Sequence, residues 1–156
     1  MNKIIFMAIV FSLLAPLVSK ANSNEIECLA KNIYHEARGE SYSGKQAVAQ
    51  VTINRVKHPQ FPSSVCDVVY QRTSKTCQFS WVCSSNLSIK RASQSWKESK
   101  RIAEMFLTHG HYYDTIGTQS IFYHSKKLPF TWDRKYRRVA TIGNHIFYRK
   151  KNANKR

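Results

Sequence analysis

Apolar residues recur at intervals of three and four in the first part of the chain, a spacing typical of helices that bury one face. Residues 25–38 carry this pattern and end near Gly39, and residues 43–57 carry it until Pro59 interrupts it. The apolar positions of the two segments are Ile26, Leu29, Ala30, Ile33, Ala37, Ala47, Val48, Val51 and Val56. The pattern therefore predicts two amphipathic helices joined by a short loop.

Two further helices are predicted downstream. A short one begins at a cap formed by Ser63 or Ser64 and runs to about Tyr70. The longest pattern covers residues 88–108 and ends at Gly110, with lysines and arginines opposite the apolar stripe. That stripe consists of Ala92, Trp96, Ile102, Ala103, Met105 and Phe106.

The end of the chain changes to a pattern typical of strands. The segments "QSIFYHS" (119–125) and "VATIGNHIFYR" (139–149) are rich in β-branched and aromatic residues, with Gly143 at a turn or bulge. Internal repeats and long linkers are absent from the sequence. We therefore predict an α+β fold, mostly helical, in one domain over residues 22–150, with a small β-sheet late in the chain and a basic tail at 151–156.

The first 21 residues resemble a secretory signal peptide. Lys3 precedes the apolar stretch "IIFMAIVFSLLAPLV", and Ser19 and Ala21 form a small-x-small cleavage site. The alternative is an uncleaved membrane anchor, but Pro16 interrupts the apolar run before it reaches the roughly 20 residues that span a bilayer. We expect cleavage after Ala21 and a secreted, periplasmic or cell-envelope location.

Export changes the interpretation of the four cysteines, because an oxidising compartment favours disulfides over thiols or zinc thiolates. Cys28, Cys66, Cys77 and Cys83 allow three pairings, and the sequence leaves all three open. Cys77 and Cys83 flank "QFSWV" and could close a small loop. A zinc site is disfavoured because no C-x-x-C spacing occurs.

The chain is strongly basic. Its 25 Lys and Arg residues against 9 Asp and Glu give a formal charge of +16. Loss of Lys3 and Lys20 with the signal leaves 23 against 9, a charge of +14. For an exported protein this favours anionic cell-envelope polymers over nucleic acid as partners. It also supports a different class of function, a cationic envelope-binding protein that breaks no bond.

Acidic residues are scarce, so Glu36 and Glu40 in "YHEARGE" are conspicuous. Glycosidases commonly use a carboxyl group whose pKa is raised by poor solvation to protonate the leaving oxygen. Glu36 suits that role because it ends a helix whose neighbouring residues face the core. Glu40 follows the predicted helix break at Gly39 and could be a second catalyst, a cap or the ion-pair partner of Arg38. The alternative is that both are solvated surface residues.

A metal site is not expected in this segment. The zincin motif His-Glu-x-x-His needs a second histidine four residues after His35, and Gly39 stands there instead. Aromatic rings beside the predicted loops would suit a glycan-binding cleft, although any one of them can equally be a core residue. These residues are Tyr34, Phe79, Trp81, Tyr112, Tyr113, Tyr123 and Trp132. We predict no cofactor.

Four blocks of sequence, in this order, resemble the SleB-type cell wall hydrolases, the family of the spore cortex-lytic enzymes. The first is "CLAKNIYHEARGESYSGKQAVAQVTINRVKHPQFPSSVCDVVYQ", followed by "CQFSWVC", "IFYHSKKLPFTW" and "TIGNHIFYR". Together they lie within residues 27–149. The resemblance implies a peptidoglycan-cleaving domain with a fold related to lysozymes and lytic transglycosylases.

The resemblance also implies a catalytic glutamate in the E-A-R-G-E block, which by motif position is Glu36. It would protonate the bond between MurNAc and GlcNAc and then act as base while the muramic 6-hydroxyl closes an anhydro ring. Residues expected to contact the substrate are Glu40, Gln78, Trp81, Tyr123, His124 and Trp132. Because members of this family are also described as N-acetylmuramoyl-L-alanine amidases, that activity is the alternative. Peptidoglycan is the expected partner, and the chain is expected to be a monomer.

Overall fold

The structure is a computed structural model that describes residues 22–85, 87–109, 114–128 and 135–151. The predicted signal segment and most of the predicted basic tail lie outside these ranges. The helices are α1 (Ser23–Ala37), α2 (Tyr42–Val56), α3 (Val65–Val69) and α4 (Gln94–His109), with a 3-10 turn at Ser80–Cys83; the strands are β1 (Phe122–Ser125), β2 (Tyr136–Ile142) and β3 (His145–Lys150). None of the helices in the described ranges is long and apolar enough to cross a membrane.

The main core lies where α1, α3 and α4 pack together. Its fully buried side chains include Leu29, Ile33, Val68 and Ile102. The disulfide Cys28–Cys66 joins α1 to α3 beside this core. The predicted α+β class, mostly helical with a small late sheet, is confirmed.

Side-chain caps mark where α1 and α2 each begin. The side chain of Asn22 accepts a hydrogen bond from Asn24 N at the start of α1, and Ser41 Oγ accepts one from Gly44 N at the start of α2. Such caps satisfy backbone donors that have no partner within the helix. The short connection between the helices keeps Glu36 and Glu40 near each other in the fold but on different backbone elements.

The predicted start of α4 is wrong. The apolar pattern predicts a helix from residue 88, whereas the helix begins at Gln94 and Ala92 is exposed. Ser93 precedes the helix, and its Oγ accepts a hydrogen bond from Trp96 N at 3.2 Å. A serine that caps a helix stands before its first turn, so residues 88–93 remain a loop.

The three strands form an antiparallel sheet in the order β1-β3-β2. Tyr123 of β1 is paired with Phe147 of β3, and β2 and β3 form a hairpin whose turn contains Gly143 with a φ of 56°. Phe147 packs against Ala47 and Val51 of α2 in a second, smaller core. The sheet is thereby fixed on α2.

Polar side chains of α2 hold the loop that leads into β1. Gln50 Oε1 accepts hydrogen bonds from Thr115 N and Ile116 N, at 2.7 and 3.1 Å. Asn54 Nδ2 donates to the carbonyl oxygens of Gly117 and Ser120, at 2.9 and 2.8 Å. This helix is therefore buried on its polar side as well, and the position of β1 depends on it.

Candidate active site

Glu36 lies in the last turn of α1, partly buried, and lines a cavity of about 420 Å³. The wall of this cavity combines α1, α2, the sheet and the loop that a disulfide between Cys77 and Cys83 closes. Its other polar lining residues include Arg55, Gln78, Ser80, Tyr123, His124, Ser125 and His145. The volume falls within the roughly 300–1,000 Å³ typical of small-ligand sites.

Tyr123 is the direct partner of Glu36. Its hydroxyl donates a hydrogen bond to Glu36 Oε2 at 2.9 Å. The ring lies against Phe147, with centroids 5.6 Å apart, and meets the edge of His145 at 5.1 Å. Burial and the adjacent Glu36 raise the pKa of Tyr123 well above its usual value, so it remains a proton donor to the carboxylate at any ordinary pH.

Burial is the largest influence on the Glu36 carboxyl and raises its pKa, although the Tyr123 hydrogen bond and the positive charge of Arg55 act in the opposite direction. Low solvation disfavours the ionised form of a carboxyl group. Glu36 therefore retains its proton to a higher pH than an exposed glutamate. A group in that state, in a cavity, is suited to general acid catalysis.

Arg55 is a site residue that the sequence reasoning missed. It is buried in α2, its Nε donates to the carbonyl oxygen of Ile121 at 2.9 Å, and its guanidinium lies between the rings of Phe61 and Phe79. Burial lowers its pKa to about 10, so its positive charge persists at neutral pH. The sequence did hold an indication of its burial, because position 55 continues the apolar stripe of α2 formed by Ala47 and Val51.

Glu40 lies apart from this cavity. Its Oε1 accepts from Asn144 Nδ2 at 2.9 Å and its Oε2 from Asn144 N at 3.1 Å, so it connects the loop after α1 to the β2–β3 turn. Burial acts to raise the pKa of Glu40, but the Asn144 hydrogen bonds and the charges of His145 and Lys126 outweigh it and lower that pKa. The two glutamates therefore have opposite protonation tendencies.

His124 and Gln78 line the Glu36 cavity. The ring of His124 is buried, with Nε2 3.0 Å from Tyr148 Oη and Nδ1 2.9 Å from the carbonyl oxygen of Ser125. Gln78 is exposed in the loop that the Cys77–Cys83 disulfide closes. The structure therefore places Gln78, Tyr123 and His124 together with Glu36.

Trp81 faces a different cavity. Its Nε1 donates to Asn32 Oδ1 at 2.9 Å, and its ring stacks on His35 with centroids 4.5 Å apart. It lines a neighbouring cavity of about 890 Å³, together with Arg38 and Lys90. Trp132, Tyr112 and Tyr113 lie outside the described residues.

The cysteines form the disulfides Cys28–Cys66 and Cys77–Cys83, which selects one of the three pairings that the sequence allows. The second bridge closes the small loop anticipated around "QFSWV". Among the described residues, no three histidine, cysteine, aspartate or glutamate side chains are grouped so that they could hold a metal ion.

Comparison with known proteins gives a family match. A family model described as Cell Wall Hydrolase matches residues 39–148, well over half of the chain. Glu36 lies three residues before the first matched position.

Two similar proteins are spore cortex-lytic enzymes. The one from Bacillus subtilis is 30% identical over 129 residues, which is 81% of this chain and 38% of that enzyme. The one from Halalkalibacterium halodurans is 29% identical over 126 residues, or 81% of this chain and 35% of that enzyme. The chain therefore spans less than half the length of these curated relatives.

Two solved structures share the fold over nearly their whole length. The catalytic domain of the Bacillus cereus SleB protein aligns with a TM-score of 0.65 and 26% identity, covering 84% of this chain and 94% of that one. The catalytic domain of the germination-specific lytic transglycosylase SleB from Bacillus anthracis aligns with a TM-score of 0.64 and 26% identity, covering 84% and 98%. The fold anticipated from the sequence blocks is therefore that of these catalytic domains.

Proposed function

The chain belongs to the SleB-type cell wall hydrolase family, and we propose that it cleaves peptidoglycan glycan strands between MurNAc and GlcNAc with Glu36 as the general acid. The observation that carries the proposal is the partly buried Glu36 carboxyl, whose pKa burial raises and whose Oε2 the Tyr123 hydroxyl holds inside a cavity. The similarity to the Bacillus anthracis domain, which is a lytic transglycosylase, supports the same bond type.

In the proposed reaction, Glu36 transfers its proton to the glycosidic oxygen as the bond from muramic C1 to that oxygen breaks. The resulting Glu36 carboxylate then accepts the proton of the muramic 6-hydroxyl, and O6 bonds to C1 to close a 1,6-anhydro ring. Glu36 ends the cycle protonated. The Tyr123 hydrogen bond stabilises the carboxylate between the two steps.

A single carboxyl group suffices for this sequence of steps. Among the described residues that line the cavity, Glu36 is the one carboxylate. Glu40 uses both of its oxygens on Asn144. This arrangement favours transglycosylation over a mechanism with a carboxylate nucleophile, which requires two carboxyl groups about 5–5.5 Å apart.

Gln78, Tyr123 and His124 are proposed to contact the saccharide at the same cavity, and Trp81 and Trp132 remain proposed substrate contacts. For Glu40, the geometry supports an indirect role, in which it fixes the β2–β3 turn and thereby β1. We also propose that the chain is exported, so that it meets peptidoglycan outside the cytoplasm.

Product analysis identifies the bond. Purified sacculi are digested with the mature chain, and the soluble fragments are separated and weighed by mass spectrometry. Anhydromuramic ends are expected. Reducing muramic ends would indicate a muramidase, free stem peptides would indicate the amidase alternative, and intact sacculi with bound protein would indicate a cationic binding protein.

A further inference from the structure

A second, larger cavity adjoins the one that contains Glu36. Its volume is about 890 Å³, against about 420 Å³ for the Glu36 cavity, and Ser80 lines both. His35, which lines the larger cavity, directly precedes Glu36 in α1. The two cavities therefore meet at Ser80, on the side of α1 that ends in Glu36.

The second cavity is positively charged. Arg38 and Lys90 both line it, and both are exposed. Among the described residues, neither forms an ion pair with a carboxylate. Burial and the charges of Arg38 and Lys31 lower the pKa of His35, so its ring is a neutral surface stacked on Trp81.

The backbones of both basic residues are fixed. The amide of Lys90 donates to Tyr34 Oη at 3.3 Å, and the carbonyl of Arg38 accepts from Ser95 Oγ at 2.9 Å. The Arg38 guanidinium lies over the Tyr34 ring, 5.6 Å from its centroid. The backbone that carries the two cations is therefore already ordered before an anion binds.

We propose that this second cavity binds the stem peptide of the muramic acid residue whose bond is cleaved, with Arg38 and Lys90 contacting the peptide carboxylates. This rests on the proposed function. The lactyl group that carries the peptide is attached to C3 of the ring whose C1 reacts, so the peptide leaves the sugar within one ring width of Glu36. Carboxylates form strong, charge-assisted hydrogen bonds with arginine and lysine.

The test compares three substrates made from one preparation of soluble glycan strands. The first retains its stem peptides. The second has lost them by amidase digestion, and the lactyl carboxylates that this hydrolysis frees are converted to amides by carbodiimide coupling. The third keeps its peptides but has their carboxylates converted to amides by the same coupling. The variant Arg38→Ala/Lys90→Ala is compared with wild type, and Lys100→Ala/Arg101→Ala on the exposed face of α4 is the control for the loss of two charges.

We expect kcat/KM of Arg38→Ala/Lys90→Ala to fall about tenfold on peptide-bearing strands and to match wild type on stripped and amidated strands. The charge-preserving variant Arg38→Lys/Lys90→Arg should recover most of the loss, and salt of about 1 M should reduce the difference. The control should match wild type on all three substrates.

An equal loss on all three substrates, or no loss on any of them, would overturn the stem-peptide site while leaving glycan cleavage intact. Failure of the wild-type chain to cleave any of the three is a different result. It would remove the proposed function itself, and the peptide site with it.

Discussion

The hydroxyl of Tyr123 in β1 donates to Glu36 Oε2 in α1 at 2.9 Å, across 87 residues of sequence. A residue of the sheet therefore lowers the pKa of a helix carboxyl that burial raises. Because this hydrogen bond favours the ionised carboxyl, its removal should raise the pKa of Glu36 further. In Tyr123→Phe we expect the alkaline limb of the kcat/KM profile to move to higher pH and kcat to fall about 10- to 100-fold.

The profile is measured on soluble glycan strands between about pH 4 and 9. Tyr136→Phe is the control, since that tyrosine lies in β2 and does not line the Glu36 cavity. If the alkaline limb of the Tyr123→Phe profile did not move, Tyr123 would not influence the pKa of the catalytic acid.

Glu36 should also affect stability in a pH-dependent way. Folding raises the pKa of this carboxyl, so the folded chain keeps the proton to a higher pH than the unfolded chain does. The protonated carboxyl therefore contributes stability that is fully present below the unfolded pKa and is lost as pH rises through the folded pKa. Glu36→Gln does not titrate. In thermal denaturation, the melting temperature of Glu36→Gln should match that of wild type near pH 4 and exceed it at pH 7.

The exposed Glu104 on α4 supplies a control for the loss of one negative charge, as Glu104→Gln. If Glu36→Gln melted at a lower temperature than wild type at neutral pH, the conclusion that burial raises the pKa of Glu36 would be contradicted.

The close approach of Glu40 to the β2–β3 turn predicts a coupled pair of substitutions. Gly143 has a φ of 56°, and a Cβ there would overlap Glu40 Oε2. Gly143→Ala should therefore lower the free energy of unfolding by about 2–4 kcal/mol. In a Glu40→Ala background the overlap disappears, so the further cost should fall to about 1–2 kcal/mol.

A urea-denaturation double-mutant cycle measures this coupling. Asn144→Ala, which removes one of the two donors to Glu40, is a milder comparison at about 1 kcal/mol. Additive costs in the cycle would mean that Glu40 does not contact the turn in solution.

The two disulfides should contribute unequally. Cys28–Cys66 spans 38 residues and Cys77–Cys83 spans 6, so loop-closure entropy assigns them about 4 and about 2 kcal/mol. Cys28→Ala/Cys66→Ala should therefore unfold at a lower urea concentration than Cys77→Ala/Cys83→Ala. The shorter bridge closes the loop that carries Gln78 and Ser80, which line the Glu36 cavity. Cys77→Ala/Cys83→Ala should therefore lose more activity than Cys28→Ala/Cys66→Ala, although it loses less stability. The reverse ranking in both assays would contradict these roles.

The helices could be predicted because their apolar spacing is local information. Residues 25–38 and 43–57 form helices close to the predicted bounds, since caps at Asn22 and Ser41 agree with the pattern. The start of α4 could not be placed from the stripe alone. Ser93 decides it by capping, although Ala92 continues the apolar spacing.

The site was only partly predictable, for a physical reason. Glu36 and Tyr123 could be named as separate residues, but their hydrogen bond depends on strand register and on the loop that Gln50 and Asn54 hold against α2. Arg55 was missed because charged residues are rarely fully buried. In the fold, Ile121 O and two aromatic rings surround it, and the nearby Glu36 carboxyl favours its charge.

The most direct measurement is the rate at which Glu36→Gln releases soluble fragments from purified sacculi, beside wild type and Glu104→Gln. Glutamine keeps the shape of the side chain and an acceptor for Tyr123 but has no proton to donate. We predict a rate at least about 10²- to 10⁴-fold below wild type with unchanged binding to sacculi, and full activity in Glu104→Gln. A Glu36→Gln chain that digests sacculi at more than roughly a tenth of the wild-type rate would contradict the assignment of Glu36 as the acid.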